Sequence, residues 1–325
     1  MIFKNNILKK PFFIAEAGSN FNQSLEIGKQ LIFNAKSSGA HSVKFQLFNA
    51  KALYPNNQKM FKIFKRNELS KKMFKNLKSY GDKIKIDVFA SAFDIGSLKF
   101  LEKCGVKYHK VASSELTNLK LLNFLSKTNK PIILSTGMSE ISDIQSAINI
   151  LSKNNKRIVI LQCGSVYPLK YKKNNLNVLK LFRKFKFPIG LSDHTLDNIA
   201  AITAVGLGAQ VFEKHFTLSK KMDGPDHSYA MEPQELKNYF TSLRNSFLCL
   251  GSKKKRLLSE EKSTSRRKGL YFKKTLKKGQ KLKINDFFLK SPPLGLLPSY
   301  KDKILSKRLI RNVKKNTPIF LKDFK

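Results

Sequence analysis

Two short segments carry matching chemistry at their ends. Ser192-Asp193-His194 and Glu213-Lys214-His215 each close an apolar run with an imidazole. On neighbouring strands, two such imidazoles can share one divalent ion whose shell is completed by water; for this pair taken alone, hydrogen-bonded loop histidines are the competing reading. Lys44 and Lys110 end similar runs, in the company of the hydroxyls of Ser91, Ser113, Ser135, Ser165 and Ser192. Ammonium groups with several hydroxyls suit an anion carrying phosphate or carboxylate. Glu16 and Glu115 are placed to move protons or orient water. Gln46 and Gln162 complete the polar run-ends. One such residue at a strand end is commonly a cap or a solvated group, but polar groups at all eight ends are harder to assign to solvation. Together they read as metal-assisted chemistry on a phosphorylated acid.

Such a grouping needs elements that bring distant residues to one place. Eight β-branched or apolar runs read as strands: 12–17, 42–47, 86–92, 108–113, 132–136, 158–163, 189–192 and 209–215. Segments with helical periodicity fill the gaps, at 25–38, 68–80, 95–104, 119–126, 141–153, 176–185, 198–207 and 233–250. Residues 49–66 read as the longest irregular connection. Eight strand–helix pairs predict an α/β fold, a (β/α)8 TIM barrel whose strand ends converge on one mouth. After Gly251 the pattern changes, giving three expected parts: a catalytic barrel over 1–250, a basic linker over 251–265 and a small, mostly β domain over 266–325.

A chain of 325 residues exceeds one small module, and 41% hydrophobic residues exclude wholesale disorder. The net charge of +41 raises the alternative of a catalytically silent, nucleic-acid-binding barrel. Lysine is instead spread along the whole chain with no Arg-rich, aromatic-interleaved arm, which argues for solvated surface and no specific nucleic acid. Cys104, Cys163 and Cys249 cannot all pair within one chain and show no metal-ligand spacing. Residues 1–13 lack a signal core, and no stretch approaches roughly 20 uninterrupted apolar residues. A cytoplasmic enzyme away from the membrane is expected.

The blocks Phe13-Ile14-Ala15-Glu16-Ala17-Gly18-Ser19-Asn20, Val43-Lys44-Phe45-Gln46, Lys110-Val111-Ala112-Ser113-Ser114-Glu115, Leu134-Ser135-Thr136-Gly137-Met138, Leu191-Ser192-Asp193-His194-Thr195, Glu213-Lys214-His215-Phe216-Thr217 and Gly224-Pro225-Asp226-His227 follow one another in an order that resembles the sialic acid synthases. Residues 266–325 resemble that family's antifreeze-like (SAF) cap. The resemblance implies condensation of phosphoenolpyruvate with an N-acylated amino sugar: N-acetylmannosamine, giving N-acetylneuraminate, or a diacetamido-deoxyhexose, giving legionaminic or pseudaminic acid. It implies that Lys44, Ser91, Lys110, Ser113, Ser135, Ser165 and Ser192 hold phosphoenolpyruvate. His194 and His215 are implied to hold Mn2+, with Mg2+ or Co2+ as substitutes. Glu115, Tyr167 and Asp226 are implied to meet the sugar, and Glu16 corresponds to the family's first-strand Glu. A domain-swapped homodimer, each cap over its partner's mouth, is also implied. Phe21 stands where the family mostly has His, Ser91 and Gly164 stand for Thr, and Ser291, next to Lys290, stands where many members place an Arg. These departures leave the metal and phosphoenolpyruvate sites intact, Ser91 keeping a hydroxyl, and bear on the sugar acceptor.

Overall fold

The computed structural model describes residues 10–263 and 266–325. Residues 1–9, read above for a signal core, and residues 264 and 265 of the basic linker lie outside the described residues. Contacts divide the chain into two compact units, Met1–Gly251 and Ser252–Lys325. No helix among the described residues is long and apolar enough to cross a membrane.

In the first unit the apolar runs pair in parallel and close on themselves: β1 (Phe12–Gly18), β2 (Ser42–Leu47), β3 (Asp87–Ala92), β4 (His109–Val111), β5 (Ile132–Ser135), β6 (Ile158–Cys163), β7 (Ile189–Asp193) and β8 (Val211–His215) form one closed barrel. Strands packed on both faces are read as near-continuous apolar runs because no face meets water; β1 is buried at all seven positions. Helices start at side-chain caps that satisfy free backbone N–H groups: Ser24 accepts from Ile27, Ser70 from Met73, Asp94 from Ser97 and Asn118 from Leu121. Their apolar faces, such as Leu121, Leu122 and Leu125, join the core around the barrel. At Gly190 of β7 a Cβ would lie 2.1 Å from the Val211 carbonyl oxygen and 2.6 Å from Leu161, so only glycine fits there.

The connection expected to be irregular over 49–66 is largely helical, with turns at Ala50–Leu53 and Lys59–Arg66. Pro55-Asn56-Asn57 is a turn signal, but it governs only the break between the two. Met60, Ile63 and Phe64 recur at helical spacing and form one apolar stripe. The Phe64 ring packs 4.9 Å from Phe48 and 4.8 Å from Tyr54. Strand 4 is shorter than expected because the chain bends after Val111 into a 3-10 turn, Ser113–Glu115.

The second unit is held by its own apolar cluster, which includes Leu270, Phe272, Leu282, Leu309, Ile319 and Phe324. Its two-stranded antiparallel sheet pairs β9 (Gly269–Phe272) with β10 (Phe287–Lys290). Buried Asp323 accepts from Arg311 Nε at 2.8 Å, which neutralises the carboxylate inside this small core.

Candidate active site

Side chains alternate across a strand, so residues two apart share a face. Lys44 with Gln46, Ser192 with His194, and Glu213 with His215 therefore point the same way. Adjacent strands place Glu16 opposite Lys44 and His215, Ser91 opposite Gln46 and Lys110, and Ser192 opposite Cys163 and Glu213. Lys44 is buried, with its ammonium 2.8 Å from Glu16 Oε2 and 3.7 Å from Glu213 Oε2 while donating to Ser91 Oγ at 3.0 Å. Lys110 lies 3.4 Å from Glu213 Oε1, which also accepts from Ser192 Oγ at 2.8 Å.

Two buried carboxylates and two buried ammonium groups do not share charge evenly. Burial pushes the Glu16 carboxyl up to about 7, with Lys44 opposing and Glu213 adding to the rise. Burial acts the same way on Glu213, but Lys110 and Lys44 outweigh it and hold that carboxyl down at about 2. Burial lowers Lys110; for Lys44 it is overcome by Glu16 and Glu213, which raise it. Glu213 is thus a fixed anion, and Glu16 a group poised to exchange a proton near neutrality.

On the opposite side of the mouth the Gly137 N–H donates to Ser113 Oγ at 3.0 Å, and a Cβ built on Gly137 would lie 2.3 Å from Ser165 Oγ and 2.9 Å from Ser113 Oγ. The two hydroxyls converge on a glycine backbone. Ser135 Oγ is buried without a hydrogen-bond partner, an unmet group at the end of β5 that an anion's oxygen would satisfy. If the phosphoenolpyruvate that the sequence resemblance implies is held here, Gly137→Ala should fold normally yet displace both hydroxyls and raise its KM about tenfold, as Lys44→Ala should through loss of a charge-assisted contact. Steady-state kinetics with unchanged KM in both variants would mean that the anion sits elsewhere.

His194 donates from Nδ1 to the Gly164 carbonyl at 2.6 Å, which leaves Nε2 as the lone-pair nitrogen, 3.4 Å from Ser192 Oγ. The His215 ring lies 5.4 Å from it, with Nδ1 buried and without a hydrogen-bond partner. Burial first, then His194 and Lys44, holds His215 well below the usual imidazole range, so it is a neutral donor. For His194 burial is overcome by Cys163, whose thiol is 4.0 Å away, and by the Gly164 carbonyl, which raise it; a bound metal would displace that proton. Two inward imidazoles with an orphaned nitrogen fit a divalent ion. Among the described residues no group of three or more His, Cys, Asp or Glu side chains could hold one, so its other ligands would be oxygens of water or substrate.

Tyr167, Asp226 and Tyr229 form the outer wall. The Tyr167 ring lies 4.2 Å from His194 and 5.1 Å from Tyr229, and Tyr229 donates to Asp226. Asp226 Oδ2 is 4.0 Å from His215 Nδ1. His227 fixes this loop by donating to Asn22 Oδ1 at 3.0 Å and bonding Thr217 at 2.6 Å. Tyr167, Asp226 and Tyr229 line a cavity of about 430 Å³ together with Phe48, Met60, Ile63 and Phe64 and the polar Ser19 and Asn67. Gln46 reaches the cavity while donating to Glu16 Oε1 at 3.1 Å. Glu115 accepts from Ser114 and Asn118, contacts that set the turn after β4 rather than join it to this wall. Gln162, read as a run-end polar group, turns outward to the Asn174 carbonyl, and Cys163 takes the inward place. Glu213 entered the sequence reading only within the block Glu213-Lys214-His215 and Cys163 only as an unpaired thiol, neither with a role of its own, and Tyr229 was not singled out. Strand parity marks Glu213, two residues before His215, and Cys163, paired with Ser192; Tyr229 has no such signal.

The closed barrel with buried ammonium groups and hydroxyls at its mouth is suited to an anion, and the relatives it resembles make it a synthase, a transferase. The chain belongs to the NeuB family, which residues 31–255 match, and residues 267–325 match the SAF domain. It is 38% identical to the N,N'-diacetyllegionaminic acid synthase of Campylobacter jejuni over 95% of this chain and 98% of that one. It is 30% identical to the pseudaminic acid synthase of Helicobacter pylori over 98% of each. Among solved structures, the N-acetylneuraminic acid synthetase of Leptospira borgpetersenii superposes with a TM-score of 0.75 at 31% identity, covering 80% of this chain and 94% of that one.

Proposed function

We propose that the protein condenses phosphoenolpyruvate with a diacetamido-deoxyhexose to give a legionaminic-type nonulosonic acid and phosphate. The observation that carries the acceptor choice is that the apolar Phe48, Met60, Ile63 and Phe64 line the same cavity as Tyr167 and Asp226. A second acetamido methyl and a deoxygenated carbon would bury apolar surface against Phe48, Met60, Ile63 and Phe64, a gain that N-acetylmannosamine lacks. Similarity to a legionaminic acid synthase along nearly the whole chain supports the same choice. N-acetylmannosamine is the second reading, favoured by the likeness to the Leptospira synthetase.

In this reading Lys44, Lys110 and the hydroxyls of Ser91, Ser113, Ser135, Ser165 and Ser192 hold the carboxylate and phosphate, so C3 of the enol is aimed at the aldehyde carbon of the open-chain sugar. Asp226 and Tyr167 orient the sugar. His194 and His215 would hold Mn2+, which when bound supplies Lewis-acid polarisation of the aldehyde. A C–C bond forms between C3 and the aldehyde carbon as the enol double bond is consumed, and the aldehyde oxygen takes a proton from solvent water. Glu16 takes a proton from the water that adds at C2, and the C2–O bond then breaks to release phosphate.

Supplying phosphoenolpyruvate with N-acetylmannosamine or 2,4-diacetamido sugars, then identifying products by mass, tests this. A diacetamido sugar should give kcat/KM at least about tenfold higher, the scale of one or two buried methyl groups; the reverse order would overturn the acceptor assignment, and no phosphate release with any sugar would leave the silent barrel. The SAF unit is proposed to complete a second copy's acceptor site in a homodimer. Deleting residues 266–325 should therefore cut kcat/KM for the sugar about tenfold or more with phosphoenolpyruvate affinity retained. A monomer by light scattering would count against this.

A further inference from the structure

The outward faces of β7 and β8 carry an ion pair that the reaction does not use. Asp193 and Lys214 stand opposite each other in register, one residue before each site histidine. Both are essentially excluded from water, at 0% and 1% exposure. Asp193 Oδ1 accepts from the Thr195 backbone at 2.9 Å and the Thr195 hydroxyl at 2.8 Å. Its Oδ2 accepts from Lys214 Nζ at 3.2 Å and from the Tyr239 hydroxyl at 2.9 Å. Lys214 also donates to the Thr195 carbonyl and lies 5.2 Å over the Tyr239 ring. Tyr239 belongs to the helix Pro233–Cys249 that packs outside the barrel.

A buried ion pair adds little stability over an apolar pair of similar volume, because desolvation offsets the attraction. What it adds is geometry: Asp193 and Thr195 flank His194, Lys214 precedes His215, and Tyr239 ties both to a helix. We infer that Asp193 and Lys214 are positioning residues that lock the ends of β7 and β8 together and so set the separation and orientation of His194 and His215. This rests on the reading of those histidines as the metal-holding pair, and the test separates the two ideas.

The double variant Asp193→Asn, Lys214→Met leaves no unpaired charge buried. In protein labelled with 15N at its five histidines, His194 in the parent should show one fixed tautomer, protonated at Nδ1. The folded double variant should shift the His194 and His215 signals toward averaged tautomers, with His41, His109 and His227 unmoved. Its Mn2+ dissociation constant, read by electron paramagnetic resonance, should rise about tenfold or more. Leu125→Ala, a core truncation on a distant helix, should lower Tm without moving any histidine signal. Should the double variant fail to fold, Tyr239→Phe should give the same shifts at smaller amplitude. Unchanged His194 and His215 signals in a folded variant would overturn the inference; a parent that binds no Mn2+ would overturn the metal reading while the tautomer signals still decide the positioning role.

Discussion

Turnover should fall by about 10³-fold or more in excess chelator and return with Mn2+, Mg2+ or Co2+, because an aldehyde accepts a weak carbon nucleophile only when its oxygen is strongly polarised. The structural basis is a pair of inward imidazoles, one with its tautomer set by the Gly164 carbonyl and the other with a buried, unpartnered nitrogen. His194→Ala should show the same loss in the presence of metal. It should keep the circular dichroism of the parent, because His194 follows the last residue of β7 and is not part of the barrel's apolar core. Full activity in the presence of excess chelator would show that the two histidines serve another purpose.

Glu16→Gln should lower kcat by about 10²- to 10⁴-fold, the usual contribution of a positioned proton acceptor. The pH profile carries the sharper test. In the free enzyme burial lifts the Glu16 carboxyl from 4.5 to about 7, so the fraction in the carboxylate form grows as pH passes through about 7. If the carboxylate takes a proton from water, kcat/KM rises across that window and the variant has no such limb. A limb that persists in Glu16→Gln would move the role to another group. The same shift has a stability sign. A carboxyl whose folded value is raised favours the fold most below its ordinary 4.5, and that contribution is lost as pH rises through about 7. The mouth therefore keeps Glu16 at a cost to stability at working pH.

Much of this was legible in the residues. The eight strands and the convergence of their ends followed from apolar runs separated by helical periodicity, since both patterns are local. The inward set of Lys44, Lys110, Ser91, Ser192, His194 and His215 followed because each ends a run at a polar residue. Gln162 and Cys163 were exchanged for each other because the side-chain period is two, and a shift of one residue reverses the face. The helical stripe of Met60, Ile63 and Phe64 was hidden by the turn signal at Pro55-Asn56-Asn57 and by the lysines interleaved with it. Short helices are marginal in isolation, and this one is packed through Phe48 and Tyr54.

By itself the sequence determined most of the groups that stand at the barrel mouth, Cys163 and Tyr229 excepted, because alternation and run length depend only on neighbours along the chain. Tertiary structure decided what those groups are electrically and how they are held. Glu16 and Glu213 are the same residue type at the ends of two strands, yet one is raised to about 7 and the other held at about 2. Their difference comes from Lys110, which is 3.4 Å from Glu213, and from how the single Lys44 charge is shared between them. The same holds for the Asp193–Lys214–Tyr239 contact behind the histidines. Charge–charge coupling depends on distance through space, and residues far apart in the chain acquire that distance only when the barrel closes.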